Sequence, residues 1–159
     1  MSTAPLRSDT PRWVAAILAS DATWWSARIA ITLPYWWSGI DKGLHLQEAL
    51  AEIGGLLDTR TPLPYYVLLL VVQLGASLLV IFNRHAWLGA GALGVFTLIV
   101  TLIAHAFWKL DGPARFAEMN TFMEHIALVA GFVFAAIWAC REPVKTDKHN
   151  HLAQGASSC

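Results

Sequence analysis

Cysteine is nearly absent from this chain. Cys140 and Cys159 are the two it has, and no C-x-x-C pair occurs. That excludes a disulfide framework and leaves no ready-made dithiol. Charge is scarce too. Charged residues make up 14% of the sequence and cancel to a formal net charge of zero, so the excess of positive charge that marks a nucleic-acid binder is missing. A cleavable signal peptide is not expected either. Residues 1–11 are polar, and the short apolar run at 14–18 is followed by no small-residue cleavage site.

What the chain has instead is apolar length. Hydrophobic residues make up 56% of it, and the mean hydropathy is +0.49. Four long stretches stand out: 22–40, 65–82, 86–108 and 122–140. Each approaches the roughly 20 residues a helix needs to cross a bilayer core. The expected fold is all-α: an antiparallel bundle of four transmembrane helices with short interfacial helices. The expected organisation is an N-terminal interfacial segment (1–21), a membrane domain (22–140) and a polar tail (141–159).

The connections fit that scheme. Residues 11–20 read as a short interfacial helix, with Pro11 at its start and Trp13 at headgroup level. Pro34 interrupts the first span. Residues 41–58 read as a second interfacial helix, because Asp41, His45, Glu48 and Glu52 fall on one helical stripe. Residues 83–85 are so short a link that spans two and three must form a hairpin. Residues 109–120 read as a polar connection. Basic residues favour the side of the N-terminus, link 83–85 and the tail by seven to four, which places both termini in the cytoplasm. Small residues at 75–77, 89–94 and 127–131 allow close helix packing. The eight tryptophans read mainly as interfacial belts.

An ionisable group inside a membrane span is costly and reads as functional by default. The topology brings four segment ends to the outer side. They carry Asp41, Lys42 and His45; Tyr65 and Tyr66; His105 and Trp108; and Glu124 with His125. His105 and His125 fall at one depth on adjacent antiparallel helices. Two imidazoles placed so can ligate a metal, bracket a haem or hold a quinone by its carbonyl oxygens. Glu124, Glu118 and Asp41 are the carboxylates within reach of such a site. A hydrogen-bonded network that fastens the bundle explains the same residues. The candidate binding residues are therefore His105, His125, Asp41, Lys42, Trp108 and Glu124. The candidate metal ligands are His105, His125 and Glu124. Gln73, near the middle of span two, reads as a hydrogen bond across to another helix. His149 and His151 read as part of a solvated tail.

Several motifs resemble one family. S-G-I-D-K (38–42) resembles the G-x-x-K ending of the first helix of DoxX proteins. Q-L-G-A-S-L-L-V-I-F-N-R (73–84) resembles their second helix, H-A-F-W (105–108) the end of their third, and F-M-E-H-I-A-L-V-A-G (122–131) their fourth. Three departures stand out: Gln73 where Glu is usual, Glu124 and His125 where Lys and Asn are common, and Ala130 in place of a glycine. The resemblance implies a four-helix bundle in the bacterial inner membrane. It also implies kinship with the small subunit of a thiosulfate:quinone oxidoreductase and with accessory proteins of thiol-redox and oxidative-stress systems. The leading expectation is then a membrane subunit of a redox system, with quinone, copper or haem as candidate cofactor. A larger redox complex would be its partner and the source of any catalysis. The alternative is a non-enzymatic assembly or anchoring subunit. A small-molecule carrier ranks last, since four spans alone make a poor pore.

Overall fold

The computed structural model describes residues 10–141. The expectations for the tail, including His149, His151 and Cys159, and for residues 1–9 fall outside the described residues. Among the described residues every regular element is helical. Helix α1 (Arg12–Leu18) follows Pro11. Helix α2 (Asp21–Leu44) is capped by Ser20, whose hydroxyl accepts the amide of Thr23 at 3.2 Å, and Asp21 suits its positive N-terminal end. Pro34 sits inside α2 and withholds the amide that would otherwise bond the carbonyl of Ala30.

The helix does not stop at residue 40, where the first apolar stretch ends. It runs to Leu44 and breaks at His45 (φ −117°, ψ 56°) before α3 (Leu46–Leu57) begins. The stripe predicted on one interfacial helix is thereby divided: Asp41 belongs to α2, and Glu48 and Glu52 belong to α3. Asp58 ends α3 in the left-handed region (φ 47°). Helix α4 (Leu63–Ile81) contains a π-helical turn at Val71–Ala76. The link to α5 (Ala86–Ala104) is as tight as the sequence implies, with Asn83 and His85 both at φ 54°. A 3₁₀ turn, Phe107–Lys109, follows.

Helix α6 (Gly112–Arg141) corrects the expectation of a polar connection through residue 120. The local sequence accounts for the early start. Gly112 supplies a positive φ of 59°, Pro113 falls in the first turn where its missing amide is harmless, and Ala114, Arg115, Ala117, Glu118 and Met119 are mostly strong helix formers.

The core gathers Tyr35 from α2, Ala76 and Val80 from α4, Ala90 and Leu93 from α5, and Phe132 from α6. A second cluster of Ala49, Ile53 and Tyr66 seats α3 on α4. Helices α4 and α5 approach so closely that a Cβ on Gly89 would lie 2.7 Å from the carbonyl oxygen of Ala76. Gln73 is buried, and its Oε1 has no hydrogen-bond partner among the described residues. Outside these clusters the helices turn large apolar side chains outward, Leu68, Val71, Val95, Ile99 and Phe134 among them. Three helical stretches are long and apolar enough to cross a membrane: Leu63–Ile81, Ala86–Lys109 and Gly112–Arg141. Helix α2 has the length, at 24 residues, but Arg28 and its polar and tryptophan residues dilute its hydropathy.

Candidate functional site

The site grows from a polar stripe on α5. Thr97, Thr101 and His105 recur every four residues and so share one helix face. Each threonine turns its hydroxyl back on its own helix: Thr97 Oγ1 donates to the Leu93 carbonyl and Thr101 Oγ1 to the Thr97 carbonyl, both at 2.6 Å. A hydroxyl has one proton, and in each threonine it is spent on the backbone. The remaining contacts then have fixed directions. Tyr35 donates its hydroxyl to Thr97 Oγ1 at 2.6 Å. Across the α5–α6 interface, His125 Nδ1 donates to Thr101 Oγ1 at 3.1 Å. The assignment of the Nδ1–H tautomer to His125 follows from that network.

His105 lies just past the end of α5. Its backbone amide caps the Thr101 carbonyl at 3.0 Å, and its ring meets α6. There Nδ1 lies 2.7 Å from Glu118 Oε2. An ionised carboxylate only accepts, so His105 also donates through Nδ1. Glu118 and His125 are seven residues apart on α6, about two turns, and so share a face. The two imidazoles stand edge to face with centroids 4.8 Å apart and planes at 62°. In both rings Nδ1 is committed, and Nε2 takes no hydrogen bond from the described residues. The pair sits toward one end of the bundle. His125 is seven residues, about 10 Å, along α6 from the core residue Phe132.

The other expected site residues are placed differently. Glu124 is exposed and shares with His125 a shallow groove between α2 and α6, which is also lined by Pro34, Leu128 and Gly131. Asp41 and Lys42 spend their polar atoms elsewhere. Lys42 Nζ pairs with Glu52 of α3, the Lys42 carbonyl accepts the Tyr66 hydroxyl at 3.2 Å, and Asp41 faces His45 Nδ1 at 3.2 Å. These contacts fasten α3. Trp108 is half exposed and packs with Phe122 and Phe107 at centroid distances of 6.0 and 5.3 Å. Tyr35, Thr97 and Thr101 escaped the sequence reading. The four-residue spacing of Thr97, Thr101 and His105 was the signal that could have found them.

The proposed cofactors can be tested against this geometry. Among the described residues no three His, Cys, Asp or Glu side chains gather closely enough to hold a metal ion. A tetrahedral copper or zinc set is therefore incomplete among the described residues. Haem does not fit between the imidazoles either. A bracketed macrocycle needs a nitrogen facing the iron from each side, and rings in edge-to-face contact leave no layer for it. A quinone head group would need hydrogen-bonding partners, and the Nε2 atoms of His105 and His125 have none among the described residues.

A family model described as DoxX matches residues 23–106, just over half of the chain. The match spans α2 through α5 and ends at Ala106, so Glu118, Glu124 and His125 lie past it. No curated protein and no solved structure matches the chain.

Proposed function

Given that the chain belongs to the DoxX family of integral membrane proteins, we propose that it is a membrane subunit of a redox system and binds a quinone or quinol head group at His105 and His125. The observation that carries this reading is the shared commitment of the two Nδ1 atoms. It leaves two Nε2 atoms, from rings in contact, to meet one ligand. A neutral imidazole so fixed accepts a proton at Nε2 from a quinol hydroxyl. A protonated one donates from Nε2 to a quinone carbonyl. Glu118 balances the positive charge on His105 when its ring is protonated. The two electrons that accompany the two protons pass to or from a redox centre in a partner protein. His125 lines the groove between α2 and α6 beside Pro34, Ala127, Leu128 and Gly131, a largely apolar approach that suits a ligand arriving through the hydrocarbon.

In this reading α2 is the fourth membrane-crossing helix, and Arg28 snorkels to the headgroups. The seven-to-four bias of basic residues supports cytoplasmic termini in a bacterial inner membrane. The pair of histidines then lies toward the outer leaflet. A second reading, an anchoring subunit without a ligand, is favoured by α6. Of its 30 residues only Phe132 is buried, and it turns Phe116, Met123, Val133 and Phe134 outward. The two readings separate by titrating detergent-purified protein with a short-chain ubiquinone and a menaquinone analogue. The expected result is saturable binding that weakens at least tenfold in His105→Ala/His125→Ala and is unchanged in Lys42→Ala. Absence of binding by the wild-type protein, or binding indifferent to both histidines, would favour the anchor.

A further inference from the structure

We infer that the groove between α2 and α6 selects the reduced ligand. It takes a quinol, with one hydroxyl on the imidazole of His125 and the other on the backbone carbonyl of Ala30, in preference to a quinone. This selectivity rests on the quinone reading, which leaves the redox state open. Pro34 lines one side of the groove, and Glu124, His125, Ala127, Leu128 and Gly131 line the other. Pro34 lies inside α2 and has no amide for the carbonyl four residues before it, that of Ala30. Helix carbonyls point along the axis toward the residue four ahead, so this oxygen lies beneath Pro34, on the groove side of α2. Ala30 is exposed, and in hydrocarbon a freed carbonyl needs a donor from a neighbour. The facing wall has no such donor. Ala127, Leu128 and Gly131 carry no polar side-chain atom, and the Glu124 carboxylate only accepts.

His125 adds a further acceptor. Its Nδ1 proton goes to Thr101, and the neutral ring is left with a bare Nε2. The polar groups along this apolar groove are therefore all acceptors, and their complement is a flat apolar molecule with a donor at each end. A quinol is such a molecule. A quinone carries carbonyls in the same places and would set them against acceptors, leaving both sides unpaired. The spacing calls for two donors and not one. Ile31, next to Ala30, packs on Gly131, where an added Cβ would lie 3.3 Å from Ile31 Cδ1. Gly131 is six residues from His125, about 9 Å along the axis. A ring with hydroxyls at opposite positions spans that gap, and a single hydroxyl does not.

Titration of the full-length protein in detergent, without oxygen, tests the selectivity. A short-chain ubiquinol and the matching ubiquinone are compared. The quinol should bind at least about tenfold more tightly, the difference between one well-made hydrogen bond and one unpaired group. The monomethyl ether of the quinol, with one donor removed, should lose most of that advantage. Pro34→Ala restores the amide that the Ala30 carbonyl lacks, so the preference for quinol should collapse while quinone affinity stays unchanged. Should Pro34→Ala lose its helical circular dichroism, the monomethyl ether decides the matter on the wild-type protein alone. Equal affinities for quinol and quinone, an ether that binds as well as the quinol, a preference that survives Pro34→Ala, or a variant that weakens both forms alike would overturn the selectivity and leave the quinone reading standing. Binding of neither form by the wild-type protein would sink both.

Discussion

Tyr35 donates its hydroxyl to Thr97 Oγ1 at 2.6 Å, tying α2 to α5 through the middle of the bundle. The direction of that bond follows from the threonine, whose proton is already given to the Leu93 carbonyl. The same logic repeats one turn farther along, where Thr101 leaves His125 as donor. One polar face of α5 thus joins α2 and α6 and orients an imidazole of the candidate site.

Tyr35→Phe should cost about 0.6–1.7 kcal/mol, from the average to the largest value measured for hydrogen bonds between membrane helices by double-mutant cycles. The ring stays, so its edge-to-face contacts with Phe96 and Phe132 are kept, and Thr97 keeps its backbone bond. Unfolding in mixed micelles checks the magnitude. Quinone affinity should not move, because Tyr35 holds the helices and touches neither imidazole.

Gly89 and Gly91 should respond oppositely to alanine. A Cβ on Gly89 meets the Ala76 carbonyl oxygen at 2.7 Å and Leu79 Cβ at 2.9 Å, whereas on Gly91 it meets nothing within 4 Å. Gly89→Ala must push α4 from α5 and should cost about 1–3 kcal/mol, as overpacking does. Gly91→Ala should be neutral or gain up to about 1 kcal/mol from helix propensity. The same micelle assay compares them, and equal effects would contradict the close approach of α4 and α5.

These residues also mark how far the sequence could be read. Apolar length located α4, α5 and the membrane part of α6, because lipid imposes the same demand on every residue of a span. The tight link at 83–85 was legible for a related reason: three residues permit only a hairpin. The start of α6 was not, since residues 112–121 are polar enough to resemble a loop while their helix propensity is high. That misreading left Glu118 on a connection and not on a helix, although its carboxylate was expected within reach of the histidines and does meet His105. The partners of Asp41 and Lys42 were not legible for another reason. Shared depth in a membrane does not determine which neighbour a side chain faces, and here Glu52 of α3 claims Lys42. The depth shared by His105 and His125 did anticipate their meeting, because α5 and α6 are consecutive and antiparallel.

The docking of α3 should be locally weak. It rests on the small cluster of Ala49, Ile53 and Tyr66, the Tyr66 bond to the Lys42 carbonyl, and the ion pair of Lys42 with Glu52, whose side chain is 61% exposed. Exposed pairs contribute about 0–1 kcal/mol. Lys42→Gln should therefore leave global unfolding nearly unchanged. It should speed hydrogen exchange in Leu46–Leu57 a few-fold, with exchange in α5 unaltered. Mass spectrometry of exchanged peptides resolves the two segments, and a uniform change across both would show that α3 is part of the cooperative core.

The tautomer of His125 is the sharpest test of the site, because it follows from proton counting and not from the presence of a ligand. Thr101 has given its proton to the Thr97 carbonyl, so a neutral His125 must hold its proton on Nδ1 to bond Thr101 at all. Nitrogen-15 spectra of histidine-labelled protein, taken where the ring is neutral, should show a protonated Nδ1 and a bare Nε2 at this position. Thr101→Val keeps the shape of the side chain but removes the acceptor, and the preference for Nδ1–H should fall toward the mixture of a free imidazole. Quinol binding should weaken with it, since Nε2 would then carry the proton in part of the population and lose its role as acceptor. A wild-type His125 protonated on Nε2 would mean that the hydroxyl of Thr101 points to the ring and not to its own helix. The site would then present an N–H to its ligand, and the quinol-accepting role assigned to Nε2 would have to be given up.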